Sequence, residues 1–195
     1  LTDIGGKNVR AAVNVPIVED MLAVRVAGFW EENEQNQAEN AFTGDKSEYE
    51  GDGYRISVGF EPTDTIAINA MYQMIEPQRS LWFPVESANI ANPSLPASDR
   101  FIDDGDLLAV HDAPEATDQE LERYGLEASW EFAGQQLNYV FAATNQMVER
   151  NTPTDAANAI DATHPATAWQ GISQDLHTQG DNVSHEIRLQ SVDPL

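Results

Sequence analysis

The stretch Arg123-Tyr124-Gly125-Leu126-Glu127-Ala128-Ser129-Trp130-Glu131-Phe132-Ala133-Gly134-Gln135-Gln136-Leu137-Asn138-Tyr139-Val140-Phe141-Ala142-Ala143 decides the fold class. Tyr124, Leu126, Ala128, Trp130 and Phe132 fall on one side of a period of two, and Arg123, Gly125, Glu127, Ser129 and Glu131 on the other. Successive strand side chains point to opposite faces, so alternation of this length reads as a strand with one apolar face. After Ala133-Gly134-Gln135 the alternation resumes in Leu137, Tyr139, Phe141 and Ala143, set against Gln136, Asn138 and Ala142. Two such runs joined by a short glycine-containing turn are a β-hairpin.

The same pattern recurs on either side. Tyr54, Ile56, Val58 and Phe60 alternate with Arg55, Ser57 and Gly59, and Glu61-Pro62-Thr63-Asp64 forms a turn. Ile66, Ile68, Ala70 and Tyr72 then return opposite Thr65, Asn69 and Gln73. Nearer the start, Val9, Ala11, Val13 and Val15 oppose Arg10, Ala12 and Asn14, with Pro16 at a strand end where a missing N–H is tolerated. Beyond Val18-Glu19-Asp20, Leu22, Val24, Val26 and Trp30 share a face with Arg25 opposite. A last strand sets Val183, His185, Ile187 and Leu189 against Ser184, Glu186, Arg188 and Gln190. About seven strands are predicted, with tight turns near 18–20, 61–64 and 133–135 and long loops near 32–52, 76–118 and 146–182. Pro77, Pro84, Pro93, Pro96 and Pro114 make the middle loop an irregular excursion.

Composition narrows the function classes. Thirty-three Asp and Glu against ten Lys and Arg leave a formal charge of -23, which repels nucleic-acid phosphates, and no basic stripe offsets it. Without cysteine there is no disulfide, thiolate nucleophile or Cys-based metal site. No apolar run is long enough for a transmembrane helix, although barrel strands need only about 9–11 residues. Leu1-Thr2-Asp3-Ile4-Gly5-Gly6 lacks the features of a signal peptide, and both ends read as cut. Short turns alternating with long loops fit a transmembrane β-barrel wall. A soluble β-sandwich alternates too, and its outer face would explain the charged residues. Pattern alone leaves both open.

Three stretches carry a family resemblance: Asn8 through Phe29; Ser57-Val58-Gly59-Phe60-Glu61-Pro62-Thr63-Asp64-Thr65-Ile66-Ala67-Ile68; and Val183-Ser184-His185-Glu186-Ile187-Arg188-Leu189-Gln190-Ser191. In order, they resemble barrel hairpins of TonB-dependent outer-membrane receptors, with His185 where glutamine is usual. The resemblance implies an all-β, antiparallel, up-and-down transmembrane β-barrel segment over residues 1–195, truncated at both ends. The family's closed barrel has about 22 strands around a plug domain. The plug and TonB box are absent here, and seven strands are too few to close such a barrel. The implied role is part of an outer-membrane transport receptor of a Gram-negative bacterium, taking up a siderophore, vitamin or glycan. Its implied partners are the inner-membrane TonB complex, through the missing plug region, that substrate and membrane lipid; nucleic acid is not among them. The alternative is a soluble, acidic all-β binding module.

Candidate residues follow from position. Trp82 and Phe83, on the long middle loop, could stack on a ligand ring, with Tyr72 and Trp169 as weaker candidates; the bland reading is that such rings tether their own loop. Arg10, Asn14, Arg25, Arg55, Glu127, Glu186 and Arg188 share the polar strand faces, which in the resembling family would be the lumen and plug side. No catalytic centre, cofactor or metal is expected. His111, His164, His177 and His185 show no ligand spacing. Asp99, Asp103, Asp104 and Asp106 invite calcium but lack EF-hand spacing, so a solvated loop is the simpler reading. Carboxylates are too plentiful to single out a glycosidase pair, no serine shows a nucleophile elbow, and Gly51-Asp52-Gly53 is a turn-like pair and no phosphate cradle. The chain is expected not to be an enzyme.

Overall fold

The structure is a computed structural model that describes residues 5–41, 43–84, 87–91, 101–102, 105–109, 111, 113–153 and 173–192. These residues form strands β1 (Gly6–Val18), β2 (Leu22–Asn40), β3 (Lys46–Thr63), β4 (Ile66–Leu81), β5 (Ser87–Ala91), β6 (Phe101–Ile102), β7 (Leu108–Ala109), β8 (Glu115–Phe132), β9 (Gln135–Pro153) and β10 (Ser173–Ser191). The main sheet has the order β1-β2-β3-β4-β8-β9-β10, antiparallel throughout, and β7 adds a short parallel pairing to the far end of β2. β5 and β6 pair separately.

The register fixes the faces. Val13, Val26, Ile56, Tyr72, Tyr124, Ala143 and Val183 lie opposite one another in turn across the whole sheet. One residue away, Ala12, Ala27, Arg55, Gln73, Arg123, Thr144 and Asn182 make the matching row on the other face. One face is therefore an apolar belt, and the other is polar. A one-residue slip would exchange the two sets, which is why the alternation specifies this register.

β1 and β10 stand at opposite ends of the ladder and are not paired with each other, so the sheet is open. The expectation of a transmembrane β-barrel segment is corrected accordingly, to an open eight-stranded sheet that is antiparallel except for β7. No helix of the described residues is long and apolar enough to cross a membrane.

The expected long loops are also shorter than the sequence pattern implies. β2 runs to Asn40 and β3 begins at Lys46, so most of 32–52 is strand; β4, β8, β9 and β10 likewise extend into the other two polar stretches. Glu32 faces Glu50 and Glu34 faces Glu48 across this extension. Like charges opposite one another are unfavourable, and the Lys46 ammonium, 3.2 Å from Glu34, partly offsets them.

Among the described residues the buried core is small and lies at that end. Ala38, Trp82, Leu108 and Ala109 are its buried apolar side chains, with Ser47 and Asn40 beside them. The Trp82 backbone N–H donates to Ser47 Oγ at 2.8 Å, and Asn40 Nδ2 donates to the His111 carbonyl at 2.9 Å. By contrast, apolar side chains of the belt such as Val9, Val13 and Ile187 are exposed.

Candidate binding face

The polar face carries two adjoining hollows over β1–β4, β8 and β9, each of about 580 Å³. That lies within the usual span of small-ligand sites, roughly 300–1,000 Å³. Both are lined by Arg25 and Arg55. The first also has Arg10, Ala12, Ala27, Phe29, Gly53 and Gln73 in its wall. The second continues past Asn14, Ser57 and Met71 to Glu127.

Small residues make the room. A Cβ on Gly53 would sit 2.6 Å from the Met74 carbonyl oxygen and 2.8 Å from Phe29 Cε1. Gly53 thus lets the Phe29 ring lie across the backbone of β3 and form an aromatic patch beside the arginines. A methyl group there would push the ring into the hollow.

The electrostatics are unusual for so acidic a chain. Arg25 Nη1 donates to Asn14 Oδ1 at 2.9 Å, and Arg55 donates through Nε to Gln73 Oε1 at 3.0 Å, with a second, shorter contact from Nη2 to the same oxygen. Both partners are neutral. Among the described residues neither guanidinium has a carboxylate within 4.0 Å, whereas Arg10 lies 3.7 Å from Glu31. Asn14 and Gln73 orient the two forks without cancelling their charge, and each fork keeps N–H donors to spare.

The polar-face residues singled out from the sequence divide into groups. Arg10, Asn14, Arg25 and Arg55 are brought together on β1–β3, and Glu127 reaches the second hollow from β8. Glu186 and Arg188 lie on the same face but far along it, on β10, paired with each other at 2.6 Å. Phe83 is exposed, but Trp82 is buried against Ala38 and Ala109, so its ring is covered. Trp169 lies outside the described residues. Phe29, Gln73 and Gly53 were not singled out; the available signal was parity, because Phe29 is a large apolar residue in phase with Arg25 and Ala27.

Tyr72 sits on the apolar face in a second polar cluster. Its hydroxyl donates to Glu122 Oε1 at 2.7 Å, while Tyr124 and Asn145 donate to Glu122 Oε2, each at 3.3 Å. The Tyr72 ring also meets Tyr54 and Tyr124, with centroids 5.8 and 5.0 Å away. Hydrogen bonds from Tyr72 first, and then Asn145, hold Glu122 below the ordinary carboxylate range. The Glu122 hydrogen bond, the largest influence, pushes Tyr72 well above the usual phenol range; burial, then the Glu122 charge, raises Tyr124. This carboxylate is already satisfied by its neighbours, so the cluster fastens β4, β8 and β9 together.

Among the described residues no three His, Asp or Glu side chains converge as a metal site. His177 contacts Glu149 at 3.2 Å and His185 contacts Tyr139 at 2.9 Å, and His111 offers its carbonyl to Asn40. His164, Asp99, Asp103 and Asp104 lie outside the described residues.

No protein-family model, curated protein or solved structure matches the chain. What fold and site define is a class: an acidic, open-sheet, all-β domain with a hollowed polar face. The resemblance to TonB-dependent receptors is not supported by these comparisons, nor by the open sheet, and is corrected with all it implied. That covers the transport-receptor role, the partners inferred from it (the TonB complex, the transported substrate and membrane lipid) and the outer-membrane location.

Proposed function

We propose that the chain is an acidic all-β binding module without a catalytic centre, which takes its ligand on the hollowed polar face over β1–β4. The observation that carries this reading is the pair Arg25 and Arg55. In a chain with 33 acidic residues, both guanidinium groups are held by neutral amides above a hollow floored by small side chains. If these arginines served only the sheet, neighbouring carboxylates would be the readier partners. Phe29 supplies a ring against which a ligand can pack.

Backbone amide mapping by NMR against a library of small polar and amphipathic molecules tests the reading. Binders are expected to shift amides of Ala12, Ala27, Gly28, Gly53 and Arg55, and Phe29→Ala to weaken them several-fold. Binders that instead cluster at Phe83 or on the Tyr54–Tyr72–Tyr124 face, leaving β1–β4 unmoved, would overturn it.

A further inference from the structure

We infer that the group recognised on this face is a carboxylate carried by a small apolar or aromatic body; the inference rests on the polar-face reading above and deepens it. Arg55 lies directly across from Ala27, and Arg25 from Ser57, so the two arginines are diagonal neighbours on adjacent strands. Such neighbours are about 7–8 Å apart at the backbone. Arg25 leans to Asn14 on β1 and Arg55 to Gln73 on β4, so an anionic group lying between them draws on the spare donors of each fork. Planar guanidinium groups with spare donors match the two oxygens of a carboxylate.

The lining selects the rest of the ligand. Ala12, Ala27, Gly53 and Phe29 present methyl groups, bare backbone and an aromatic ring beside the arginines, and the one carboxylate in this lining, Glu31, is met by Arg10 at 3.7 Å. An apolar body can lie there while its charged end meets Arg25 and Arg55. The acidic surroundings act in the opposite direction: a net charge of -23 repels anions at long range. Recognition must therefore come from short-range contact at the two forks, which favours a small, singly charged ligand over a polyanion.

Benzoate and benzamide, equal in shape and different in charge, make the test by calorimetry and amide mapping. Benzoate is expected to bind about tenfold more tightly than benzamide, the ratio of a charge-assisted to a neutral hydrogen-bonded contact. Arg25→Gln and Arg55→Gln, both at exposed positions, should each reduce benzoate binding more than benzamide binding and so narrow the ratio between the two probes. Circular dichroism of the variants separates this effect from unfolding. If benzamide binds this face as well as benzoate does, and the glutamine variants change neither, the carboxylate inference falls while the polar face stands as the binding surface. If neither probe shifts any amide of β1–β4, the inference and the underlying reading fall together.

Discussion

Glu122 shows how one residue ties a local contact between strands to pH. Its pKa is depressed, so its contribution is complete above the ordinary carboxylate value near 4.3 and is lost as pH falls through the depressed one. Tyr72 acts with the opposite sign: its pKa is raised, so its contribution is complete below the ordinary phenol value near 10 and is lost as pH rises through the raised one. Between those limits the Tyr72–Glu122–Asn145 cluster is intact. Phenolate absorbance at about pH 11 should show Tyr72 still protonated, and Tyr72→Phe should shrink the late-titrating fraction, to which Tyr124 also contributes. Five tyrosines ionising together at the ordinary value would contradict the hydrogen bonding described.

At the scale of elements, the turns are the most exposed to test. Ala133 and Gly134, between β8 and β9, both have positive φ, 46° and 73°. A two-residue hairpin turn of this kind favours Asn-Gly, because an alanine Cβ crowds the following carbonyl in the left-handed region. Ala133→Asn should raise stability by about 0.5–1 kcal/mol, and Gly134→Ala should lower it by about 1–2 kcal/mol, read from denaturant midpoints. The hairpins and strand faces were legible because Tyr54 to Phe60 and Tyr124 to Phe132 alternate without interruption. The strand extensions were not. Beyond Trp30, β2 reads Glu31-Glu32-Asn33-Glu34-Gln35-Asn36-Gln37, polar on both faces, so the period of two vanishes while the backbone ladder continues. Trp82 was illegible for another reason: its burial depends on Ser47, Ala38 and Ala109, which only the folded sheet brings together. The shared face of Arg10, Arg25 and Arg55 followed from parity, but that Asn14 and Gln73 would engage two of them depended on the register between strands.

For the whole molecule, local alternation said which residues share a face and nothing about whether the two outer strands meet. The open edge-to-edge order is what leaves the polar face as a broad, accessible surface, and it is the point on which the account turns. Ala12 on β1 and Asn182 on β10 occupy one cross-strand row, at its two ends. With roughly 4.8 Å between neighbouring strands, the path between them along the sheet is about 29 Å, shortened in a straight line by curvature. The chain has no cysteine, so Ala12→Cys and Asn182→Cys can carry the only two spin labels. Pulsed electron–electron resonance should give a separation well beyond about 15 Å, as an open sheet requires. A separation near the 5 Å spacing of paired strands, once label length is allowed for, would mean that β1 and β10 close on one another and would contradict the open sheet and the binding face built on it.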